Sequence, residues 1–436
     1  TADCLYAVPL MLEEEGLARE VCNHLKLDRY IPDNRKWEEM IEKIRKIDKN
    51  KKVKIAYCIP SLYYPSGMER VLTLKANYFA EHLGYDIHII LTDGKGKEPY
   101  YKLYPSITTH QLDINYDELY GLSLPKRIHR YWSKQKLFKK RLETCLNEIE
   151  PDITISLLRR DINFINKMKD KSIKLGEIHF NKSNYREFSD NCLPGIIQRA
   201  VKQYWMWQLI RQVRQLKSFV VLSHEDAAEW TELNNVTVIY NPLPFLPEQQ
   251  SDNTPKQVIA VGRYVPQKGF DRLISAWSIV NKKHPDWILR IYGDGMREQL
   301  QNQIYELGIS PSCILEHSTP DIVDKYCKSS IFVLSSRYEG FGMVIIEAMA
   351  CGVPPVSFTC PCGPRDIISD GINGLLVENG NIEGLAEKIC YLIENENIRR
   401  EMGRQARMDI ERFRIEPIAE QWKTLFESII EKNKDL

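Results

Sequence analysis

From residue 53 onward, short apolar runs rich in β-branched residues alternate with longer amphipathic stretches. The runs at 53–59, 87–91, 153–158, 175–180, 219–223 and 236–240 read as strands. Their near-continuous apolar character suits strands covered on both faces, as in a parallel sheet. A second series follows at 257–261, 287–292, 330–335 and 353–357. Helical spacing fills the gaps, ending with helices at 382–394 and 415–432. Strand–helix alternation predicts an α/β chain of doubly wound sheets. Asn241-Pro242-Leu243-Pro244 and the polar stretch 247–256 separate the two series and read as a hinge linker. The expected organisation is a domain over 53–242, a second over 255–414, and a last helix, 415–436, crossing back to the first.

Residues 1–52 stand apart. Leu10 to Leu17 and the stretch from Trp37 to Ile47 are amphipathic, and a polar run, Asp48 to Lys52, closes them off. Tyr6-Ala7-Val8-Pro9-Leu10, Gly16-Leu17, Val21-Cys22 and Trp37-Glu38 resemble the end of the synthetase domain of CTP synthases and its linker. No phosphate loop or catalytic cysteine signature accompanies them. The resemblance implies a recruited fragment without CTP synthase activity.

Composition narrows the classes. A chain of 436 residues and 51.0 kDa accommodates two domains and an extension. A net charge of +1 argues against nucleic acid as a partner, so any charge effect is local. No run approaches the roughly 18 apolar residues of a spanning helix, and a cytoplasmic location is expected. The 11 cysteines follow no disulfide framework, and Cys360 and Cys362 lack the partners of a zinc site. Local charge does appear at 126–141, with eight Lys/Arg and no acid, interleaved with Tyr131, Trp132, Leu137 and Phe138. Such a helix suits an anionic membrane surface on the inner face, or else a solvated face with inward aromatics.

The candidate chemistry centres on residues 338–350. A buried strand leads into Glu339-Gly340-Phe341-Gly342, and a helix begins at Met343 and Val344. Its free N–H groups and positive dipole end would face an anion. Glu339 and Glu347, eight positions apart, flank that place and could hold hydroxyls. The alternative is a plain glycine turn with solvated carboxylates. Arg263 and Lys268 flank another strand-to-helix loop and could neutralise a diphosphate. Gly293-Asp294-Gly295 follows the next strand, and Gly67 lies in the loop after the first. That first loop is not G-x-G-x-x-G, so a dinucleotide is not expected. His179 ends a strand where open α/β sheets put ligand contacts, though a lone histidine is more often structural.

Together, Gly262-Arg263…Lys268-Gly269, Gly293-Asp294-Gly295, Glu339-Gly340-Phe341-Gly342…Glu347-Ala348 and Gly371…Asn373-Gly374 resemble the donor half of family-four retaining glycosyltransferases of the GT-B fold. The match is close over 257–413 and loose over 53–240. The resemblance implies two Rossmann-like domains facing across a cleft. It implies that Arg263 and Lys268 hold the donor diphosphate and Glu347 the ribose. Glu339 with the amides of Phe341, Gly342 and Met343 would hold the sugar, with His179 beside it and Gly67 near the phosphate. Ser66-Gly67 replaces a double glycine, and His317-Ser318 stands where a glycine is usual. The implied reaction retains configuration by front-face attack, the leaving phosphate taking the acceptor's proton. No D-x-D pattern stands where a metal-bound diphosphate would need it, so neither metal nor cofactor is expected. The expected donor is a UDP-sugar, and the expected acceptor a glycan or polyprenyl-diphosphate-linked glycan of cell-surface polysaccharide synthesis. A UDP-sugar 2-epimerase of the same architecture, or a non-enzymatic scaffold led by residues 1–52, are the alternatives.

Overall fold

The computed structural model describes residues 52–434, apart from 120, 183–184 and 186–194. The CTP synthase-like stretch, up to residue 51, lies outside the described residues. Two parallel sheets organise the rest. The first has seven strands in the order β3-β2-β1-β4-β5-β6-β7. These are β1 (Lys54–Ile59), β2 (Asp86–Leu91), β3 (Thr108–Gln111), β4 (Ile153–Ser156), β5 (Ile173–Glu177), β6 (Ser218–Val221) and β7 (Val236–Val238). The second has six strands in the order β10-β9-β8-β11-β12-β13. These are β8 (Gln257–Val261), β9 (Ile288–Tyr292), β10 (Cys313–Glu316), β11 (Ile331–Leu334), β12 (Pro355–Phe358) and β13 (Leu375–Val377).

Both sheets share one winding. In each, the order reverses beside the first strand, between β1 and β4 and between β8 and β11. Loops leaving the carboxyl ends of strands at such switch points diverge and leave a crevice. The loops holding Gly67, Lys268 and Glu339 are those that follow β1, β8 and β11. Three strands gave no signal in the sequence: β3, β10 and β13. All three are sheet edges. An edge strand has one unpaired side, and β3, Thr-Thr-His-Gln, is largely exposed, so the apolar run that marks a central strand is missing.

The final helix, Ile415–Lys434, packs on the first domain. Its Ile418, Trp422, Phe426 and Ile429 join Leu72, Ala76 and Phe79 of the helix Gly67–His82 in one core. Full burial of a side chain such as Phe426 contributes about 2–3 kcal/mol. Residues 247–256 are not a free tether: Ser251 Oγ donates to Ser329 O (2.6 Å) and Asn253 Nδ2 to Gly352 O (3.0 Å). Their polarity serves buried hydrogen bonds on the second domain. The basic segment lies on one helix, Leu124–Ile149. Tyr131 and Phe138 turn into the core, while Trp132 is 63% exposed and Ile128 and Leu137 also face outward. Lys134 and Arg141 are tied to backbone carbonyls of residues 112–114, which removes two cations from the outer face.

Candidate active site

On the second domain the site is built by close backbone approach. A β-carbon on Gly293 would stand 1.9 Å from Gly262 O, and one on Gly269, at φ +63°, 2.1 Å from Ser335 O. Only glycine lets these loops meet. They deliver Lys268 so that its Nζ donates to Glu339 Oε1 at 2.7 Å, and Ser336 Oγ donates to the same oxygen at 2.6 Å. The Glu339 N–H donates to Pro361 O at 2.7 Å, fixing the loop. Gly342, at φ +95°, then turns the chain into the helix Met343–Ala350. Phe341 is buried against Tyr240 and Phe413, which anchors the turn that aims this helix.

On the first domain, side chains reach out. The loop after β1 is held by Glu69, whose carboxylate accepts from Ser61 Oγ (3.0 Å) and the Tyr64 N–H (2.8 Å). Ser66 caps the helix Gly67–His82, accepting from the Glu69 N–H. One turn along, Arg70 crosses to the second domain and donates to Glu347 Oε1 at 2.9 Å. Tyr326 Oη donates to Glu347 Oε2 at 3.4 Å. Burial pushes the Glu347 carboxyl above its ordinary value, while Arg70, Tyr326 and Lys268 pull it down. His179 lies just beyond β5 and meets the glycine loop: a β-carbon on Gly340 would stand 2.5 Å from His179 O. Its Nε2 is 3.1 Å from Glu177 Oε1, which also accepts from buried Lys75.

The structure therefore brings Lys268, Glu339, Gly340, Phe341, Gly342, Met343, Val344, Glu347 and His179 around one cleft, with the Gly67 helix opposite. A β-carbon on Gly67 would meet nothing within 4 Å, so the fold itself does not require glycine there. Arg263 is exposed in the loop after β8. Gly293 serves loop packing, and Asp294 is engaged by His317 Nδ1 (2.8 Å) and Ser318 rather than by Lys268 or Glu339. Sequence reasoning missed Arg70, Tyr326, Lys75 and Glu177. The available signals were weak: Arg70 one helical turn beyond Gly67, and Glu177 sharing a strand face with His179.

Two doubly wound parallel domains around this cleft are the GT-B architecture. The chain carries a glycosyltransferase domain, since residues 245–409 match the family model described as "Glycosyl transferases group 1". An uncharacterized glycosyltransferase of Haemophilus influenzae is 29% identical over 376 residues, covering 85% of this chain and 99% of that protein. The poly(ribitol-phosphate) alpha-N-acetylglucosaminyltransferase of Staphylococcus aureus is 29% identical over 67% of this chain and 60% of its own length. Among solved structures, TarM superposes with a TM-score of 0.69 at 19% identity, over 87% of this chain and 99% of its own. The pneumococcal O-GlcNAc transferase GtfA, solved with UDP and GlcNAc, gives 0.65 at 15% identity, over 87% of this chain and all of its own.

Proposed function

We propose that this glycosyltransferase is retaining and metal-independent, and moves a hexose or N-acetylhexosamine from a UDP-sugar to a glycan or polyprenyl-diphosphate-linked acceptor in cell-surface polysaccharide synthesis. The observation that carries the reading is the Lys268–Glu339 pair beside the Met343–Ala350 helix, within reach of His179. Negative charge grows on the leaving diphosphate as the glycosidic bond lengthens. Lys268, Arg263 and the helix N-terminus stabilise it in place. Glu339 and His179 hold the sugar hydroxyls, and Glu347 exchanges its Arg70 contact for the ribose. The acceptor enters from the first domain, attacks from the leaving-group face, and passes its proton to the departing phosphate oxygen. The names of the relatives support the donor: one is a GlcNAc transferase acting on poly(ribitol-phosphate), and GtfA was solved with UDP. The outward basic face of Leu124–Ile149, with Trp132, supports docking at an anionic membrane. Residues 1–52 act as an appended segment, so a protein shortened to 51–436 is expected to fold and bind UDP.

A panel of nucleotide sugars tests this without an acceptor. Slow hydrolysis and thermal stabilisation by one UDP-sugar, with UDP released and undiminished by a chelator, is the expected result. Accumulation of a 2-epimer with no UDP release would identify an epimerase instead. A chain that neither binds nor cleaves any donor overturns the proposal.

A further inference from the structure

Behind His179 lies a charged chain that no step above uses. Glu177 is the last residue of β5, and His179 two positions on shares its side of the strand. Lys75, from the helix Gly67–His82, and His179 both approach Glu177 Oε1. Lys75 and Glu177 are each about 1% exposed. The Lys75 ammonium in turn sits 4.5 Å from the centre of the Trp422 ring, on the C-terminal helix. A lysine and a glutamate so deeply buried are costly to desolvate, and well-packed apolar side chains often replace such a pair without loss of stability. Their presence beside a cleft histidine calls for a use.

We propose that Glu177 is a positioning residue for His179, with Lys75 its buried counter-ion. The inference rests on the reading that His179 meets the donor sugar. Burial alone would raise the Glu177 carboxyl, yet Lys75 and His179 hold it down at about 2. It therefore stays an acceptor throughout ordinary pH. Nε2 lies 3.1 Å from that acceptor, buried and not yet aligned for a hydrogen bond. A small turn of the ring completes one, placing the proton on Nε2 and leaving Nδ1 to accept from a sugar hydroxyl. The histidine is thus constrained twice, its carbonyl packed against Gly340 and its ring beside the Glu177 carboxylate. Trp422 over Lys75 extends the chain to the C-terminal helix, so that helix supports the sugar site from behind.

The test uses the full chain with UDP-glucose and UDP-N-acetylglucosamine as probes, reading UDP release, UDP affinity by calorimetry, and the 15N-histidine spectrum. Glu177→Gln is expected to slow UDP release about 10- to 100-fold, on the scale of an outer-shell partner lost behind a histidine, with UDP affinity unchanged. His179→Asn should show a similar loss, and the double variant should be no worse than either, because both break one device. The His179 signals, assigned by their loss in His179→Asn, should move to a mixture of tautomers in Glu177→Gln. Lys75→Met combined with Glu177→Gln removes the unpaired charge, so it should fold like the wild type yet stay slow. Recovery of full turnover in that double variant would show that Glu177 merely neutralises Lys75, and would overturn the proposal. Independent, multiplying losses in Glu177→Gln and His179→Asn, or an unmoved tautomer pattern, would overturn it too. Full turnover by His179→Asn would instead remove the sugar-contact reading on which the inference stands.

Discussion

The two domains share one strand order but build their sides of the cleft with different materials. The second uses backbone: Gly269, Gly293, Gly340 and Gly342 allow loops to touch at distances no β-carbon would tolerate or turn the chain through positive φ. The first uses side chains: Arg70 crosses to Glu347, and Lys75 and Glu177 stand behind His179. Backbone amides at a fixed helix N-terminus suit an invariant anion such as a nucleotide diphosphate. Side chains on a helix and at a strand end can be exchanged without refolding a loop, which suits the proposed role of this domain in taking a variable second substrate. Charge follows the same division. Lys268 has a carboxylate partner inside its own domain, whereas Glu347 takes its cation from the other one.

The largest effect is expected where that donor machinery meets growing charge. Lys268→Ala should lower kcat by about 10²–10³, the scale of a lost charge-stabilising donor, measured as UDP release at saturating donor. Full turnover in this variant would move the diphosphate elsewhere. Next comes the contact that joins the two materials. In Gly340→Ala a methyl group must displace His179, so turnover should fall by about 10²-fold while calorimetry finds UDP affinity retained. Equal loss of UDP affinity would show that the glycine shapes only the nucleotide loop.

Glu347→Gln should raise the donor KM about tenfold with little change in kcat, since a hydrogen bond to a charged group contributes about 1.5–3 kcal/mol. The same variant carries a pH signature. The folded carboxyl lies above its ordinary value of 4.5, so its stabilising share is present at acid pH and fades as pH rises through the folded value. The ligand-free Gln variant, uncharged throughout, should therefore gain melting temperature relative to wild type on moving from acid to neutral pH. A difference independent of pH would sink that account. The smallest effect on turnover belongs to the outer face of the first domain. Replacing Lys136, Lys139 and Lys140 by Glu should abolish binding to anionic liposomes, each lysine contributing about 1 kcal/mol and fading with salt. Unchanged sedimentation with vesicles would leave the helix a solvated one.

What the sequence determined by itself is local. Apolar runs of strand length alternating with helical spacing specified two wound parallel sheets, because a strand covered on both faces can hardly hide its composition. The loop Glu339-Gly340-Phe341-Gly342 was legible for the same reason: its glycines and its neighbouring helix start are a few positions apart. The edges β3, β10 and β13 were not: β3 is largely exposed and polar, while β10 and β13 are apolar but only 4 and 3 residues long, too short for a pattern to stand out. Nor could the sequence join Arg70 to Glu347, 277 positions away, or Lys75 to Glu177, 102 away. The first pairing depends on how the two sheets face each other, the second on how a helix packs against its own sheet. Only the tertiary structure decides them, because a charge chooses its partner by distance and desolvation in space, which no spacing along the chain encodes.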